Sequence, residues 1–304
     1  MLDENYSLLT GSTGFVGKNI INYLTKSFIG FKILSREKFL SDLNIDANIK
    51  TIIHLAGKAH DLKKTSNPDE YYQVNLELTK KLYNAFLNSE AKKFIFISSV
   101  KAAADQVNGI LTEDGMPDPK TDYGKSKLMA EQYIQSQPLP KDKSYYILRP
   151  CMIHGPGNKG NLNLLYQVVK KGIPYPLAGF NNKRSFLSID NLCFCIKEIL
   201  TRQDIPSGIY NIADDEALST NEVVTILAAS LNKKPRLWNI SPRLITFLAK
   251  VGDVLHLPLT TERLSKLTES YIVSNAKIKA AINKKLPLNA KEGLQITAAS
   301  FNKA

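Results

Sequence analysis

The sequence predicts an α/β protein with a doubly wound parallel sheet, followed by a smaller, mostly helical C-terminal domain. Short, continuously apolar runs such as TIIHL at 51–55 and FIFI at 94–97 alternate with segments of helical periodicity. Runs of this kind are typical of strands buried on both faces of a parallel sheet. A glycine-rich turn joins the first strand to the first helix, and sheets of this class bind nucleotides there.

Each element is predicted from its local pattern. Strands are expected at Tyr6–Thr10, Phe31–Leu34, Thr51–Leu55, Phe94–Ile97 and Tyr145–Leu148. Helices are expected at Phe15–Lys26, Asp69–Asn88 and Asp122–Gln137. Asn67-Pro68 supplies a start signal for the second helix and Pro138 a stop for the third. Strands and helices alternating in this order predict the Rossmann arrangement.

Beyond residue 155 the pattern changes, because proline and glycine cluster at 155–157 and 172–179 and helical segments then dominate. We predict a dinucleotide-binding domain over 1–155, to which 184–213 returns, and a substrate-binding domain over 156–304. Gly11, Ala56, Ser99 and Arg149 lie at or near the carboxyl ends of predicted strands. They are therefore expected to meet in one cleft.

The composition is that of an ordinary globular protein. Of its 304 residues 43% are hydrophobic and 22% charged, and no apolar run reaches the length of a membrane helix. With no signal-peptide pattern in view, a cytoplasmic location is expected. The net charge of +12 comes without a nucleic-acid-binding motif, so we expect a solvated basic surface and no nucleic-acid partner.

The cysteines and histidines predict neither a disulfide framework nor a metal site. Three cysteines fit a reducing compartment. Cys193 and Cys195 are two residues apart in a predicted helix, do not share a face, and are interpreted as core residues. The four histidines lack the spacing of metal ligands.

The segment at 10–17, TGSTGFVG, has the features of a phosphate-binding turn. Gly11, Gly14 and Gly17 permit a tight turn, close approach of a pyrophosphate, and close packing of helix on strand. The helix that follows offers free N–H groups and a positive dipole end to an anion. We therefore predict that a dinucleotide binds here, with Thr13, Phe15 and Val16 also in contact.

The end of the second strand bears on which nicotinamide cofactor is bound. An acidic residue there would bind the ribose hydroxyls of NAD, whereas a basic residue can hold the 2′-phosphate of NADP. The chain has Ser35 and Arg36 and no carboxylate before Glu37. NAD and NADP both remain open, and this pair favours NADP(H).

A second motif, YGKSK at 123–127, opens a predicted helix. Tyr123 and Lys127 are four residues apart and share a helix face. An ammonium near a phenol favours the phenolate and lowers its pKa, which would make Tyr123 a general acid/base near neutral pH. Ser99, just after the FIFI strand, is placed to hydrogen-bond the substrate oxygen or the tyrosine. The motif gains weight from following both this serine and the glycine turn.

Together these motifs resemble the extended short-chain dehydrogenases/reductases of the NAD-dependent epimerase/dehydratase family, over nearly the whole chain. The matching pieces are TGSTGFVG at 10–17, HLAG at 54–57, Asn75, FISS at 96–99, YGKSKLMAE at 123–131, LRPCMIHGPG at 148–157 and RSFLSIDNL at 184–192. Their order is that of the family.

The resemblance implies roles for individual residues. Ser99, Tyr123 and Lys127 would be catalytic. Tyr123 and Lys127 would also contact the cofactor. The other positions that would bind it include Asp42, Leu55, Ala56, Gly57 and Pro150, with Asp42 as the candidate adenine contact. The positions that would bind a nucleotide-diphosphate sugar are Ser99, Val100, Lys101, Asn161 and Arg184. An arginine suits the diphosphate because its guanidinium pairs with phosphate oxygens.

The chain departs from the family at two places. The short stretch between the second strand and TIIHL predicts that the usual third strand is short or missing. His154 stands where the family usually has tyrosine, and we interpret it as a packed core residue.

The chain lacks the acid pair that dehydratases of the family carry beside the catalytic serine, since Val100 and Lys101 follow Ser99, so a dehydratase is not expected. Three functions remain open from the sequence. The first is a 4-epimerase of a UDP-hexose or UDP-N-acetylhexosamine that works through a 4-keto intermediate. The second is an NADPH-dependent 4-keto reductase of a UDP- or dTDP-deoxy sugar, and the third a non-catalytic NADP-binding protein.

The resemblance implies a homodimer formed through the helices at 69–88 and 122–137. The apolar and basic stretch at 244–267 raises a further hypothesis, a lipid-linked diphosphate sugar bound at a membrane surface.

Overall fold

A six-stranded, fully parallel sheet forms the centre of the protein. The computed structural model describes residues 5–41, 43–58, 67–158, 160–255, 257 and 259–302. In spatial order the strands are β2 (Phe31–Ile33), β1 (Tyr6–Thr10), β3 (Ile49–His54), β4 (Lys93–Ile97), β6 (Ser144–Pro150) and β9 (Gly208–Ile212). The predicted doubly wound parallel sheet is thus confirmed.

Hydrophobic cores cover both faces of this sheet, because consecutive strand residues point to opposite sides. Leu9, Ile53 and Ile95 pack on one side with α1 (Phe15–Lys26) and α7 (Ile189–Thr201). Leu8, Ile52 and Phe94 pack on the other side. That side is covered by α4 (Leu78–Leu87) and α5 (Asp122–Ser136).

The helix before α4 is not regular. The sequence predicts one helix over 69–88, whereas the structure has α3 (Pro68–Tyr71), a π-helical segment (Tyr72–Glu77) and then α4. A π turn inserts one residue into the helical repeat and turns the side chains within it, and such turns are frequent at functional sites. Asn75 lies in this π segment and is buried.

On the outer side of β2 there is no further strand among the described residues, as the short chain segment predicts. The chain instead forms α2 (Arg36–Leu40) and returns to β3. Phe39 of α2 is buried against Leu8 and Ile49, so this short helix closes the edge of the core.

The remaining elements lie mostly C-terminal to β6. They are the short strand pairs β5 (Ile110–Leu111) with β10 (Ile272–Val273) and β7 (Met152–His154) with β8 (Phe186–Ser188), and the helices α6 (Asn161–Lys170), α8 (Thr220–Ser230), α9 (Pro242–Leu255), α10 (Thr261–Thr268), α11 (Ala276–Ile282) and α12 (Ala290–Phe301). A third core forms between α6, α8 and α12, and a smaller fourth one lies beneath α9 and α10. No helix in the described part of the chain has the length and apolarity needed to span a bilayer.

His154 and the three cysteines are core residues. His154 is fully buried, and its Nδ1 lies 2.8 Å from the Thr297 hydroxyl of α12. Cys151, Cys193 and Cys195 are buried and free. Burial raises the pKa of both Cys193 and Cys195 to about 12, which keeps them as unreactive thiols at neutral pH.

Candidate functional site

The site lies at the carboxyl edge of the sheet, between β1 and β3. From β1 the chain first goes to β2 on one side and then to β3 on the other, so the strand order reverses here. A crevice forms at such a reversal. Gly11 leaves β1 with a φ of 70°, and a Cβ on it would lie 2.5 Å from the Ala56 nitrogen. The turn therefore presses directly on the Leu55–Ala56 backbone that follows β3.

The other two glycines of the turn have different reasons to be glycine. A Cβ on Gly17 would lie 2.2 Å from the Gly11 carbonyl oxygen, so α1 packs on the turn only without a side chain there. A Cβ on Gly14 would meet nothing closer than 3.5 Å, and its φ of −72° suits any residue. Neither packing nor backbone geometry explains Gly14, whereas a ligand approaching the backbone would.

This turn fits the pyrophosphate of a dinucleotide. Gly14 is the N-cap of α1 and supplies no side-chain cap, so the first N–H groups of the helix, from Phe15 and Val16, are not satisfied by a capping side chain. Thr13 and Gly14 are exposed beside them. The positive end of the twelve-residue helix and these donors face the same open space.

The predicted contacts to the adenosine part lie at the end of β2. Ser35 is the N-cap of α2, where its hydroxyl accepts a hydrogen bond from the Lys38 nitrogen at 3.3 Å. Arg36 begins that helix and is exposed. Asp42, the predicted adenine contact, lies outside the described residues.

A buried polar chain joins β1, β3 and the π segment behind the cleft. The Thr10 hydroxyl lies 2.7 Å from His54 Nδ1 and accepts from the Ala56 nitrogen at 3.1 Å. His54 Nε2 lies 3.0 Å from the Thr79 hydroxyl, which itself donates to the Asn75 carbonyl. The Thr79 hydroxyl donates to Asn75, so His54 Nε2 carries a proton and donates to Thr79, and Nδ1 of the neutral ring accepts from Thr10. Burial, with Lys127 nearby, lowers the pKa of His54 to about 3.

Asn75 ties the loop after β3 to α5. Its Oδ1 accepts from the Lys58 nitrogen at 2.8 Å, and its Nδ2 donates to the Lys58 carbonyl and to the Ser126 hydroxyl. A Cβ on Gly57 would lie 3.0 Å from both Asn75 Oδ1 and Lys127 Nζ. Gly57 therefore lets the HLAG loop come within contact of the catalytic candidate Lys127.

Ser99 and Tyr123 are brought together by the start of α5. Gly124 makes this possible, because a Cβ there would lie 2.4 Å from the Lys101 carbonyl oxygen. The Ser99 hydroxyl forms a hydrogen bond with the Tyr123 side chain and also accepts from the Lys101 nitrogen at 3.2 Å. Tyr71 packs edge-on against the Tyr123 ring at 6.1 Å.

The predicted lowering of the Tyr123 pKa by Lys127 is not found in the structure. Burial raises the pKa of Tyr123, and the hydrogen bond from Ser99 acts in the opposite direction. The Lys127 ammonium instead donates to the Ile97 carbonyl at 2.9 Å and lies 4.8 Å from the centre of the Phe96 ring. Its own burial lowers the pKa of Lys127 to about 8, with Glu131 acting against that shift.

Glu131 organises the floor of the cleft one helical turn beyond Lys127. It forms a fully buried ion pair with Arg149 of β6, in which Arg149 Nη2 lies 2.5 Å from Glu131 Oε2. The Ser98 hydroxyl donates to the same carboxylate. The two adjacent serines thus separate by role: Ser98 supports the ion pair and Ser99 meets Tyr123.

The predicted substrate positions differ in their exposure. Val100 is buried, and the Lys101 ammonium donates to the Asp105 carbonyl at 2.8 Å and lies 4.4 Å from the Tyr271 ring. Asn161 is exposed at the start of α6. Pro150, which is predicted to contact the cofactor, is buried at the end of β6.

Arg184 is held by the chain itself. Its guanidinium donates to the Glu269 carbonyl at 3.2 Å and to the Lys266 carbonyl, at the C-terminal end of α10. A cation at this end of a helix complements the helix dipole.

Sequence reasoning did not assign the Thr10–His54–Thr79 chain or the Glu131–Arg149 pair. A signal for the first was available, because Thr10 and His54 are polar residues that end two apolar strands and pair in register. The second was not predictable from spacing, since it depends on how α5 lies across β6. Among the described residues, no cluster of histidine, cysteine and carboxylate side chains is arranged to hold a metal ion.

Comparison with known proteins agrees with this geometry. The model of the NAD dependent epimerase/dehydratase family matches residues 7–213. The UDP-glucose 4-epimerase of Vibrio cholerae is 32% identical, over 98% of this chain and 95% of that protein. The N-acetyl-α-D-glucosaminyl-diphospho-ditrans,octacis-undecaprenol 4-epimerase of Escherichia coli O157:H7 is 30% identical, over 75% of this chain and 72% of that protein.

A solved structure shares the fold along the whole chain. MoeE5 in complex with UDP-glucuronic acid and NAD superposes with a TM-score of 0.76, at 20% identity, over 98% of this chain and 99% of that one. The predictions of an extended short-chain dehydrogenase/reductase and of a nicotinamide cofactor are confirmed. With its glycine turn, its tyrosine–lysine helix and these matches, the chain belongs to the NAD dependent epimerase/dehydratase family.

Proposed function

We propose that this protein is a nucleotide-sugar 4-epimerase that acts on a UDP-hexose or UDP-N-acetylhexosamine through a 4-keto intermediate. The observation that carries the proposal is the grouping of Ser99, Tyr123 and Lys127 at the carboxyl edge of the sheet, beside the glycine turn. The similarity to a UDP-glucose 4-epimerase along almost the whole chain supports it.

The residues suit a reversible oxidation at a sugar carbon. In the first step Tyr123 takes the proton of the C4 hydroxyl while the C4 hydride leaves, which produces a ketone; Ser99 holds the same oxygen. A bound nicotinamide supplies the acceptor for that hydride and, when oxidised, a positive charge that lowers the pKa of a nearby phenol. After the keto sugar rotates, the hydride returns to the other face and Tyr123 returns the proton. No net oxidant is consumed.

The surroundings of Ser99 support epimerisation over dehydration. Loss of water from the neighbouring carbons needs an acid and a base beside the ketone. The two residues after Ser99 are the buried Val100 and Lys101, whose ammonium is occupied by Asp105 and Tyr271. Neither supplies a carboxylate.

The test is incubation with UDP-glucose or UDP-N-acetylglucosamine and only a catalytic amount of NAD. We expect an equilibrium mixture of the two C4 epimers with no net change in nicotinamide absorbance. A sample that stays unconverted with both sugars, although it binds NAD, would contradict the epimerase.

The second candidate is an NADPH-dependent 4-keto reductase of a deoxy sugar nucleotide. The observation in its favour is Arg36, exposed at the carboxyl end of β2 without an adjacent carboxylate on that strand. Titration with NAD and NADP separates the two candidates. A preference for NADP that is lost in Arg36→Ser, together with consumption of one NADPH per 4-keto sugar, would favour the reductase.

The same chemistry admits a second class of substrate, a sugar linked to a polyprenyl lipid through a diphosphate. The relative from Escherichia coli named above acts on such a molecule, and its similarity supports this candidate.

We also propose that the protein forms a homodimer through the outer faces of α4 and α5. The chemistry proposed above for nucleotide sugars invokes neither the lipid nor the dimer.

A further inference from the structure

The outer face of α9 exposes a continuous row of large apolar side chains. Leu244, Phe247, Leu248, Val254 and Leu255 are each between 45% and 76% exposed, and we name this row the α9 apolar face. The opposite side of the helix already packs into the protein, where Ile245 and Ala249 join the core beneath α9. The helix is therefore apolar over far more of its circumference than its own core needs.

The spacing of the row is that of one helix face. Its members follow one another at steps of three, one, six and one along α9, which places them within a single stripe when the helix advances 3.6 residues per turn. Trp238 before the helix and Leu267 in α10 are also more than half exposed and extend the apolar area. Contiguous exposed patches of this kind mark interaction sites.

Cationic residues outnumber acidic ones in the segment that carries this face. Between residues 233 and 267 the sequence has seven lysines and arginines against one aspartate and one glutamate. Both carboxylates have partners within the region: Asp253 accepts from Thr261 at 2.8 Å, and Glu262 pairs with Lys266 at 2.5 Å. Arg243 and Lys250 lie on α9 itself, each four residues before a member of the row.

We propose that the α9 apolar face docks on an anionic membrane surface, with the helix lying in the plane of the lipid headgroups. An amphipathic helix with leucine and phenylalanine on one side and lysine and arginine at its border is the pattern that binds there. Anionic lipid attracts each such cation, and tryptophan favours the same interfacial depth. A protein partner would need a complementary acidic surface, whereas a membrane supplies negative charge and an apolar layer together.

The docked face is connected to the candidate site. Arg184, a sequence-predicted diphosphate contact, holds the carbonyls of Lys266 and Glu269 at the end of α10. Asn182, two residues earlier, donates to the Leu267 carbonyl at 3.4 Å. Because α9 and α10 pack on each other, docking would bring the end of α10, and Arg184 with it, toward the lipid surface. The inference does not depend on which reaction the cleft catalyses.

The experiment is co-sedimentation of the whole protein with vesicles of phosphatidylglycerol and phosphatidylcholine, compared with phosphatidylcholine alone. We expect binding to the anionic vesicles that weakens as salt is raised. Phe247→Glu should lower the partition coefficient at least about tenfold, since it removes the aromatic contact with the lipid and adds repulsion from the anionic headgroups. Phe28→Glu is the matched control, because Phe28 is 98% exposed on the loop after α1 and should leave binding unchanged.

Charge is tested by a second pair of variants. Arg243→Gln with Lys250→Gln should lower binding about fivefold for each charge removed, whereas Lys26→Gln with Lys141→Gln, both exposed elsewhere, should not. Thermal unfolding and turnover of a water-soluble substrate by each variant verify that it is folded.

Three outcomes would overturn the proposal. The first is equal sedimentation with both kinds of vesicle, and the second is equal binding by the Phe247 and Phe28 variants. The third is a dimer in sedimentation velocity that Phe247→Glu converts to a monomer while vesicle binding is unaltered, which would assign the face to a second copy of the chain.

Discussion

The proposed chemistry depends most on the hydroxyl group of Tyr123. We predict that Tyr123→Phe lowers turnover about 10²- to 10⁴-fold, the usual contribution of a general acid/base, while NAD binding changes little. Removing an oxygen leaves the ring and its packing on Tyr71 in place. The measurement is epimer formation alongside a fluorescence titration with the cofactor.

The same variant tests whether Tyr123 is the catalytic group. Full turnover in Tyr123→Phe would reject that assignment. Ser99→Ala serves as the comparison, with a smaller expected loss because its hydroxyl assists without accepting the proton.

His54 should make the protein less stable at acidic pH. Its pKa is lowered to about 3 in the folded state from an ordinary value of 6.5, because the ring is buried. The contribution of His54 to the free energy of unfolding is therefore complete above pH 6.5. It falls by about 1.4 kcal/mol per pH unit as the pH is lowered toward 3.

Urea unfolding of the wild type and of His54→Gln between pH 7.5 and 4.5 tests this. The variant is expected to be less stable at pH 7 because Thr10 and Thr79 lose their partner. The difference between the two proteins should shrink by about 2 kcal/mol at pH 5. Curves that stay parallel through this range would show that His54 does not carry the acid sensitivity.

Among the structural elements, the glycine turn contains one glycine that we expect to matter for folding, Gly17, and one that we expect to matter for binding the dinucleotide, Gly14. We predict that Gly17→Ala destabilises the protein by about 2–3 kcal/mol, since its Cβ would meet the Gly11 carbonyl at 2.2 Å. Gly14→Ala should change stability by less than about 1 kcal/mol, because its φ and surroundings accept a methyl group. It should nevertheless weaken binding of the dinucleotide.

Thermal unfolding and isothermal titration with NAD, done on both variants, check this prediction. Each glycine variant is the control for the other. If Gly14→Ala binds NAD as the wild type does, the pyrophosphate does not approach the turn at that residue. Gly17→Ala with unchanged stability would mean that α1 can move away from the turn at little cost.

The elements also show what sequence patterns can predict. The strand, turn and helix at 6–26 were predictable because hydrophobic periodicity and glycine spacing act over neighbouring residues. The π segment at Tyr72–Glu77 was not, since nothing in the local pattern distinguishes it from an α-helix. It is stabilised by distant partners, as Asn75 binds the Lys58 backbone and Ser126.

For the whole molecule, the proposed dimer makes a specific prediction. Met129 is 44% exposed on the outer side of α5. If α4 and α5 form the interface, Met129→Glu should turn a dimer into a monomer in sedimentation velocity, because a carboxylate would be buried there without a partner. Phe247→Glu, on the α9 apolar face, should leave the dimer intact. A monomeric wild type, or a dimer insensitive to Met129→Glu, would contradict this interface.

The sequence by itself determined the parallel sheet, the phosphate-binding turn and the spacing of Tyr123 and Lys127, because each depends on residues close together in the chain. Only the tertiary structure decided what those residues meet. It placed Lys127 on the Ile97 carbonyl, gave Tyr123 a pKa raised by burial, and held Arg184 on the end of α10. Burial and the approach of distant backbone set these properties, and neither can be read from spacing along the chain.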